Sequence, residues 1–251
     1  ARLEQVGWDE PGFVEDERWL EAPVVEPPKG TLRAQAIPPL KVMRTFRPQS
    51  ILPVRPGVFV ADLGQNFSGV FRIAVRGPRG ASVTLRPAEL LKDDGSADQR
   101  HSGSPHTYTY TLKGEGVEVW APRFSYYGFR YLEVEGATPA ELAPEEAGGP
   151  VLLDLEGWMI YPDIETCGRL EVSDPLVARV HELINWAILS NTKSLFTDCP
   201  HREKLGWLEQ VHLMGPSITY NYQVEALLAK VVGDMRDSQL ENGMIPTTAP
   251  E

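Results

Sequence analysis

The sequence predicts an antiparallel β-sandwich followed by amphipathic helices, and three observations carry that reading. Short runs of strand-forming residues, punctuated by glycine turns, fill residues 51 to about 155. From Ser173 onward the apolar period changes to that of a helix. Before residue 51 the chain is rich in proline, which interrupts regular elements.

The elements follow in order. Pro23, Pro27, Pro28, Pro38 and Pro39 break the first 50 residues, and Trp8, Asp9, Glu10 and Pro11 make an acidic, aromatic start. Residues 1–50 therefore read as a connector or as the end of an upstream module. Val58-Phe59-Val60-Ala61 is a short apolar strand, and Val70-Phe71-Arg72-Ile73-Ala74-Val75 a second. Gly77-Pro78-Arg79-Gly80 is a turn signal. Ser82–Arg86 alternates, with Val83 and Leu85 on one face. Asp93-Asp94-Gly95-Ser96 turns the chain again. Thr107–Leu112, Val117–Trp120, Phe129–Val134 and Val151–Ile160 continue the series of strands. The sandwich is assigned to residues 51–156.

Residues 157–251 form the helical part. Asp174-Pro175 is an N-cap followed by proline at the first helical position. Leu176, Val180, Leu183, Ile184, Ala187 and Ile188 then mark one apolar stripe. A further helix is expected from Pro216-Ser217 to Asn242-Gly243, with Tyr220, Val224, Leu227, Leu228, Val231 and Met235 on its buried face. Nothing in the sequence closes these helices into a layer, although wide apolar faces need partners. The expectation is a chain cut from a larger protein, partway into an α-helical domain.

Composition narrows the function. A formal net charge of −11 argues against a grip on nucleic-acid phosphate, and no apolar run approaches the roughly 20 residues of a membrane span. Neutral ligands such as sugars suit an acidic surface. Cys167 and Cys199 are too few for a disulfide scaffold and read as buried thiols. Their spacing with His201 and His212 matches no common zinc pattern, so neither metal nor cofactor is expected. Trp120, Trp158 and Trp186 read as packing residues.

The densest chemistry lies in Asp198-Cys199-Pro200-His201-Arg202-Glu203-Lys204-Leu205-Gly206-Trp207-Leu208-Glu209-Gln210. Acids to move protons, a guanidinium to grip hydroxyls and an indole to stack on a ring are what a sugar-cleaving pocket needs. With Pro200 at a helix start, Glu203, Trp207 and Gln210 share one face. Arg202, Gly206 and Glu209 form the neighbouring stripe.

This segment resembles the signature of the bacterial α-L-rhamnosidases of glycoside hydrolase family 78, an Asp-Cys-Pro-x-Arg-Glu-x-Leu-Gly-Trp run. Asp62-Leu63-Gly64-Gln65-Asn66-Phe67-Ser68-Gly69 is similar to the family's D-x-G-Q-N-x-x-G turn. Arg86-Pro87-Ala88-Glu89-Leu90-Leu91 resembles a following strand, and Pro122–Tyr131 the stretch P-R-F-x-Y-x-G-F-R-Y. The ordered set covers roughly residues 45–251.

The resemblance implies an antiparallel, jelly-roll-like β-sandwich preceding an (α/α)6 barrel. It implies hydrolysis of terminal α-L-rhamnose from glycosides or polysaccharides, with inversion. Glu203 matches the general acid, and Asp198, Arg202 and Trp207 match rhamnose-binding residues. The family's general base is a glutamate late in the barrel, beyond these residues, so little turnover is expected from this chain without the remainder of its catalytic domain. A common form of the motif ends Gly-Trp-Thr-Gly-Asp. Gln210 stands at that aspartate here, with Glu209 one place earlier. His201 is expected to line the pocket or cap the loop.

A general acid needs its proton. Asp198, Glu209 and the Trp207 wall are expected to favour the protonated Glu203, while Arg202 points at Asp198. Two alternatives stand beside this reading: a carbohydrate-binding sandwich with a helical remnant, and an (α/α)6 glycosidase for another sugar.

Overall fold

The structure is a computed structural model that describes residues 4–28, 30–103, 105–144 and 148–250. Eleven strands come first: β1 Leu40–Phe46, β2 Ser50–Arg55, β3 Val58–Arg76, β4 Ser82–Ala88, β5 Leu90–Leu91, β6 Ala97–Asp98, β7 Tyr108–Thr111, β8 Glu118–Trp120, β9 Tyr127–Glu135, β10 Thr138–Pro139 and β11 Val151–Pro162. Three helices follow: α1 Pro175–Ser190, α2 Leu208–Asn221 and α3 Glu225–Asp237. The sandwich-then-helices order expected from the sequence is what the chain adopts.

Strand β3 organises the sheet. The two runs read as separate strands are one element of 19 residues. Its first part, 58–62, pairs with β2 on one side and β9 on the other. Its last part, 69–76, pairs with β11, and Ile73–Val75 with β8. One long strand thus passes between two layers, β1-β11 on one side and β9-β4-β7 on the other. Pairing is antiparallel throughout the path from β1 to β7.

The corner in β3 is a bulge. Asp62 faces Tyr131 and Phe67 faces Phe129, which leaves 63–66 outside the ladder with β9. Gly64 has φ +77, a left-handed conformation that glycine adopts without a Cβ penalty. The Asp62 carboxylate closes the turn by accepting the Gly64 N–H at 2.7 Å. It also takes Arg130 Nε and Nη2 at 2.8 and 2.7 Å. That bidentate bond, in a partly shielded site, holds the Asp62 carboxyl below the usual carboxylate range. The D-x-G-Q-N sequence is thereby explained as the chemistry of one bulge.

Phe67, Phe71, Phe129, Leu85, Leu132 and Met159 fill the core between the layers. Phe67 sits 4.6 Å from both Phe46 and Phe129, centroid to centroid. Each such ring contributes about 1.5–3 kcal/mol by leaving water.

Several expectations need correction. Leu40–Phe46, placed in the irregular lead-in, forms β1 against β11, because Met43 and Phe46 pack on the core and stabilise the edge. β11 runs through the expected division at 156/157, so the sheet ends at Pro162. Pro216 lies inside α2 rather than at a helix start. The chain breaks at Tyr222 and Val224, both buried, and α3 ends at Asp237, before Asn242. Leu227 and Val231 face the core as expected, whereas Tyr220 is exposed. Cys167 is exposed and Cys199 half-buried, and both are free thiols.

Asp174 caps α1 as the sequence predicts, its carboxylate accepting the Leu176 N–H at 2.8 Å. Burial along the stripe is limited to its end. Ile188 is buried, but Leu176, Val180, Leu183 and Ile184 are exposed among the described residues. Trp186 anchors the helix to the sheet. Its indole N–H donates to Asn66 O at 2.7 Å, and Arg44 lies over its ring.

Candidate active site

The Asp198 segment is a loop, not the first turns of a helix. α2 starts at Leu208, so the predicted common face of Glu203, Trp207 and Gln210 does not exist. The reason is local. Side chains with short reach satisfy the backbone N–H groups that a helix would use. Asp198 Oδ1 accepts the Leu205 N–H at 3.0 Å, and Asp198 N–H donates to Leu205 O at 3.3 Å. Cys199 Sγ accepts from Glu203 N–H at 3.2 Å, and His201 Nδ1 from Arg202 N–H at 2.8 Å. Lys204, with φ +58, turns the chain against helical continuation.

The loop is braced from outside as well. Thr247–Ala249 run back along it: Leu208 N–H donates to Thr247 O at 3.0 Å and Ala249 N–H to Gly206 O at 3.0 Å. The sheet side supplies Gly128, where a Cβ would stand 2.5 Å from Pro200 Cγ and 3.2 Å from His201 Cδ2. Only glycine admits that approach. His201 Nε2 donates to Glu89 Oε2 at 2.9 Å, with both side chains largely shielded. Since His201 Nδ1 accepts from Arg202, the ring proton sits on Nε2. Glu89 Oε1 takes Asn66 Nδ2 at 2.8 Å. Burial opposes ionisation of Glu89, but the His201 and Asn66 bonds outweigh it and hold its carboxyl below the ordinary value.

Glu203 projects from this framework. Trp207 Nε1 donates to its Oε2 at 3.1 Å, and Arg202 Nη2 lies 3.7 Å from its Oε1. Arg202 thus faces Glu203 and not Asp198, whose carboxylate is taken up by the loop backbone. The contact is single and long, not a bidentate clamp. Glu209 stands exposed in the first turn of α2. Gln210 and Asp198 line a separate cavity of about 230 Å³ with Ile184, Phe196, Met214 and Ile218. Gln210 Oε1 has no hydrogen-bond partner there among the described residues. The predicted residues therefore divide: Glu203, Arg202 and Trp207 meet directly, Asp198 and Gln210 meet at a neighbouring cavity, and His201 braces the loop.

The sequence reading missed the basic groups beneath. Lys204 Nζ donates to Tyr126 O at 2.6 Å and lies over the Tyr126 ring. Lys193 also lies over that ring and is buried, bonded to Ser190 O and Thr192 O. Burial, with Lys204 nearby, pushes the Lys193 ammonium down to about 7. Burial likewise pushes the Tyr126 hydroxyl up to about 12. A lysine set among Leu189, Thr192 and Phe196 was the available signal.

Known proteins match the chain along nearly its whole length. Residues 53–161 match the family model of the bacterial alpha-L-rhamnosidase concanavalin-like domain, and residues 165–251 that of the bacterial alpha-L-rhamnosidase 6 hairpin glycosidase domain. The chain belongs to the bacterial α-L-rhamnosidase family. An alpha-L-rhamnosidase from Streptomyces avermitilis is 34% identical over 255 residues, covering 100% of this chain and 24% of the relative. One from Formosa agariphila is 30% identical, covering 96% of this chain and 25% of its own length. The solved alpha-L-rhamnosidase from Dictyoglumus thermophilum superposes with TM-score 0.87 at 35% identity, over 98% of this chain and 27% of that one. The S. avermitilis structure complexed with L-rhamnose gives TM-score 0.83 at 32% identity, over 100% of this chain and 24% of that one. The rhamnosidase resemblance read from the four motifs is thereby borne out. The chain spans about a quarter of the length of the curated rhamnosidases it matches.

Proposed function

We propose that this chain supplies the general acid and its supporting sheet to an inverting α-L-rhamnosidase. The substrate is a glycoside or polysaccharide ending in α-L-rhamnose. The observation that supports this reading is the Glu203 carboxylate. It stands on a loop fixed from the sheet and from Thr247–Ala249, with Trp207 and Arg202 beside it. Glu203 donates a proton to the glycosidic oxygen as the bond from the anomeric carbon to that oxygen breaks. A water attacks the opposite face of the sugar, and a second carboxylate about 6.5–9.5 Å away takes the water's proton. That base is proposed to come from residues beyond this chain, within the helical catalytic domain that follows Pro162.

Arg202 and Trp207 are proposed to hold the sugar beside the acid. Asp198 and Gln210 are proposed to bind its hydroxyls from the adjoining cavity, and Glu209, exposed one position before Gln210, to offer a further carboxylate. A neutral sugar needs no cation cluster or cofactor at such a site.

The test is hydrolysis of nitrophenyl α-L-rhamnoside by the longest polypeptide carrying this chain, beside Glu203→Gln at matched thermal stability. Turnover abolished by the substitution supports both the reaction and the acid. No turnover from the folded parent overturns the reading. A second reading, carbohydrate binding by the sandwich, draws support from a cleft of about 770 Å³ lined by Trp8, Trp19, Tyr110 and Trp120. Glycan binding without hydrolysis would favour it.

A further inference from the structure

Three motifs far apart in the chain meet at one point, and the proposed reaction does not use that meeting. Asn66 comes from the β3 bulge, Glu89 from the junction of β4 and β5, and His201 from the Asp198 loop. Their side chains form a continuous line: Asn66 Nδ2 to Glu89 Oε1 at 2.8 Å, and His201 Nε2 to Glu89 Oε2 at 2.9 Å. The line continues from His201 Nδ1 to the Arg202 N–H at 2.8 Å, one residue before the proposed acid. Its other end is anchored too, because Asn66 O accepts the Trp186 indole of α1 at 2.7 Å. Gly128 admits Pro200 and His201 against β9 at the same place.

We propose that Glu89, on the sheet, is a positioning residue that sets the orientation of Glu203 through His201 and the Arg202 backbone. The inference rests on the reading of Glu203 as the acid. The physical logic is directional. An imidazole with its proton on Nε2 has an acceptor on Nδ1, and only that tautomer accepts the Arg202 N–H. The Glu89 carboxylate selects it by accepting from Nε2, and Asn66 keeps the carboxylate from rotating away. Glu89 keeps its charge as it does so, since its hydrogen bonds hold its carboxyl low against the opposing effect of burial. The sheet is then part of the catalytic device and not a separate module tethered to it.

Glu89→Ala and Glu89→Gln in the longest active polypeptide, with His201 followed by ¹⁵N NMR in the 251-residue chain, make the test. Loss of the anchor misplaces the acid, so Glu89→Ala is expected to lower kcat by about 100-fold with little change in KM. Glu89→Gln, which retains one acceptor oxygen, is expected to recover much of that loss. The wild-type ring should show protonated Nε2 and unprotonated Nδ1, and Glu89→Ala should mix the tautomers. A fall in thermal midpoint with kcat intact, a change in KM alone, or a His201 tautomer unmoved by Glu89→Ala would each overturn the proposal. If no parent polypeptide cleaves a rhamnoside, the functional reading fails separately. The NMR result then decides the anchoring: a tautomer shift sustains it and an unchanged ring removes it.

Discussion

Lys193 is a buried charge without a carboxylate partner among the described residues, and replacing it with methionine should stabilise the protein at neutral pH. The residue is 4% exposed. Among the described residues its ammonium reaches Ser190 O at 3.0 Å, Thr192 O at 3.4 Å and the Tyr126 ring at 5.0 Å. No carboxylate pairs with it among the described residues. Burial, with the Lys204 charge adding, lowers its pKa from 10.5 to about 7. In the unfolded chain the amine holds its proton up to about pH 10.5, whereas in the folded chain it releases it near 7. Between those values the unfolded state binds more protons, so folding stability rises with pH across that window. Below about pH 7 the full penalty is present. Each pKa unit is worth about 1.4 kcal/mol, which bounds the penalty at roughly 4–5 kcal/mol. Methionine keeps the length and the packing but leaves two carbonyls without their donor, which returns about 1–2 kcal/mol. Lys193→Met is therefore expected to be more stable than wild type by about 2–4 kcal/mol near pH 6.5, with the advantage vanishing by about pH 10. Urea denaturation followed by tryptophan fluorescence at several pH values measures the difference. A variant less stable than wild type at pH 6.5, or a difference independent of pH, would refute the reasoning.

Other expectations test the loop and its frame. Gly128→Ala puts a methyl 2.5 Å from Pro200 Cγ, a ring that has no flexible end to swing aside. The loop must shift, so a stability loss of about 1–3 kcal/mol is expected, with kcat down by about 100-fold; unchanged kinetics would show that the approach is not tight. Asp198→Ala removes the acceptor for Leu205 N–H and should cost about 1–2 kcal/mol in thermal or urea unfolding. Asp198→Asn keeps an acceptor, so lost activity at near-normal stability would assign the charge to sugar binding, while full activity would confine Asp198 to the loop. Asp62→Ala strands the Arg130 guanidinium and opens the β3 bulge. A loss of about 1–3 kcal/mol is expected, and no change in the unfolding midpoint would mean the bulge holds without its clasp.

Particular residues show how far the sequence reached. Alternation in Ser82–Arg86 and the Asp174-Pro175 cap are local signals, and both were legible because the physics that makes them acts within a few residues. The Asp198–Gln210 segment was singled out as the candidate site and expected to be helical, whereas it is a loop up to Leu208. Pro200 is compatible with a helix start, and the spacing of Glu203, Trp207 and Gln210 fits a helical face. What decides against the helix is Asp198 bonding seven residues ahead to Leu205, together with the left-handed Lys204. The α1 stripe was identified correctly, but its exposure among the described residues depends on what else packs there.

By itself the sequence determined the class of fold and the family and singled out a candidate segment, because strand alternation, helix period and the four motifs are each contained in short stretches of chain. Only the tertiary structure decided that β3 is one bent strand, that Arg202 meets Glu203 and not Asp198, and that Asn66, Glu89 and His201 join into one line. Those facts rest on contacts between residues as far apart as Glu89 and His201. Such contacts are set by how the layers and the loop pack in space, and nothing in the local pattern of either segment encodes the other's position.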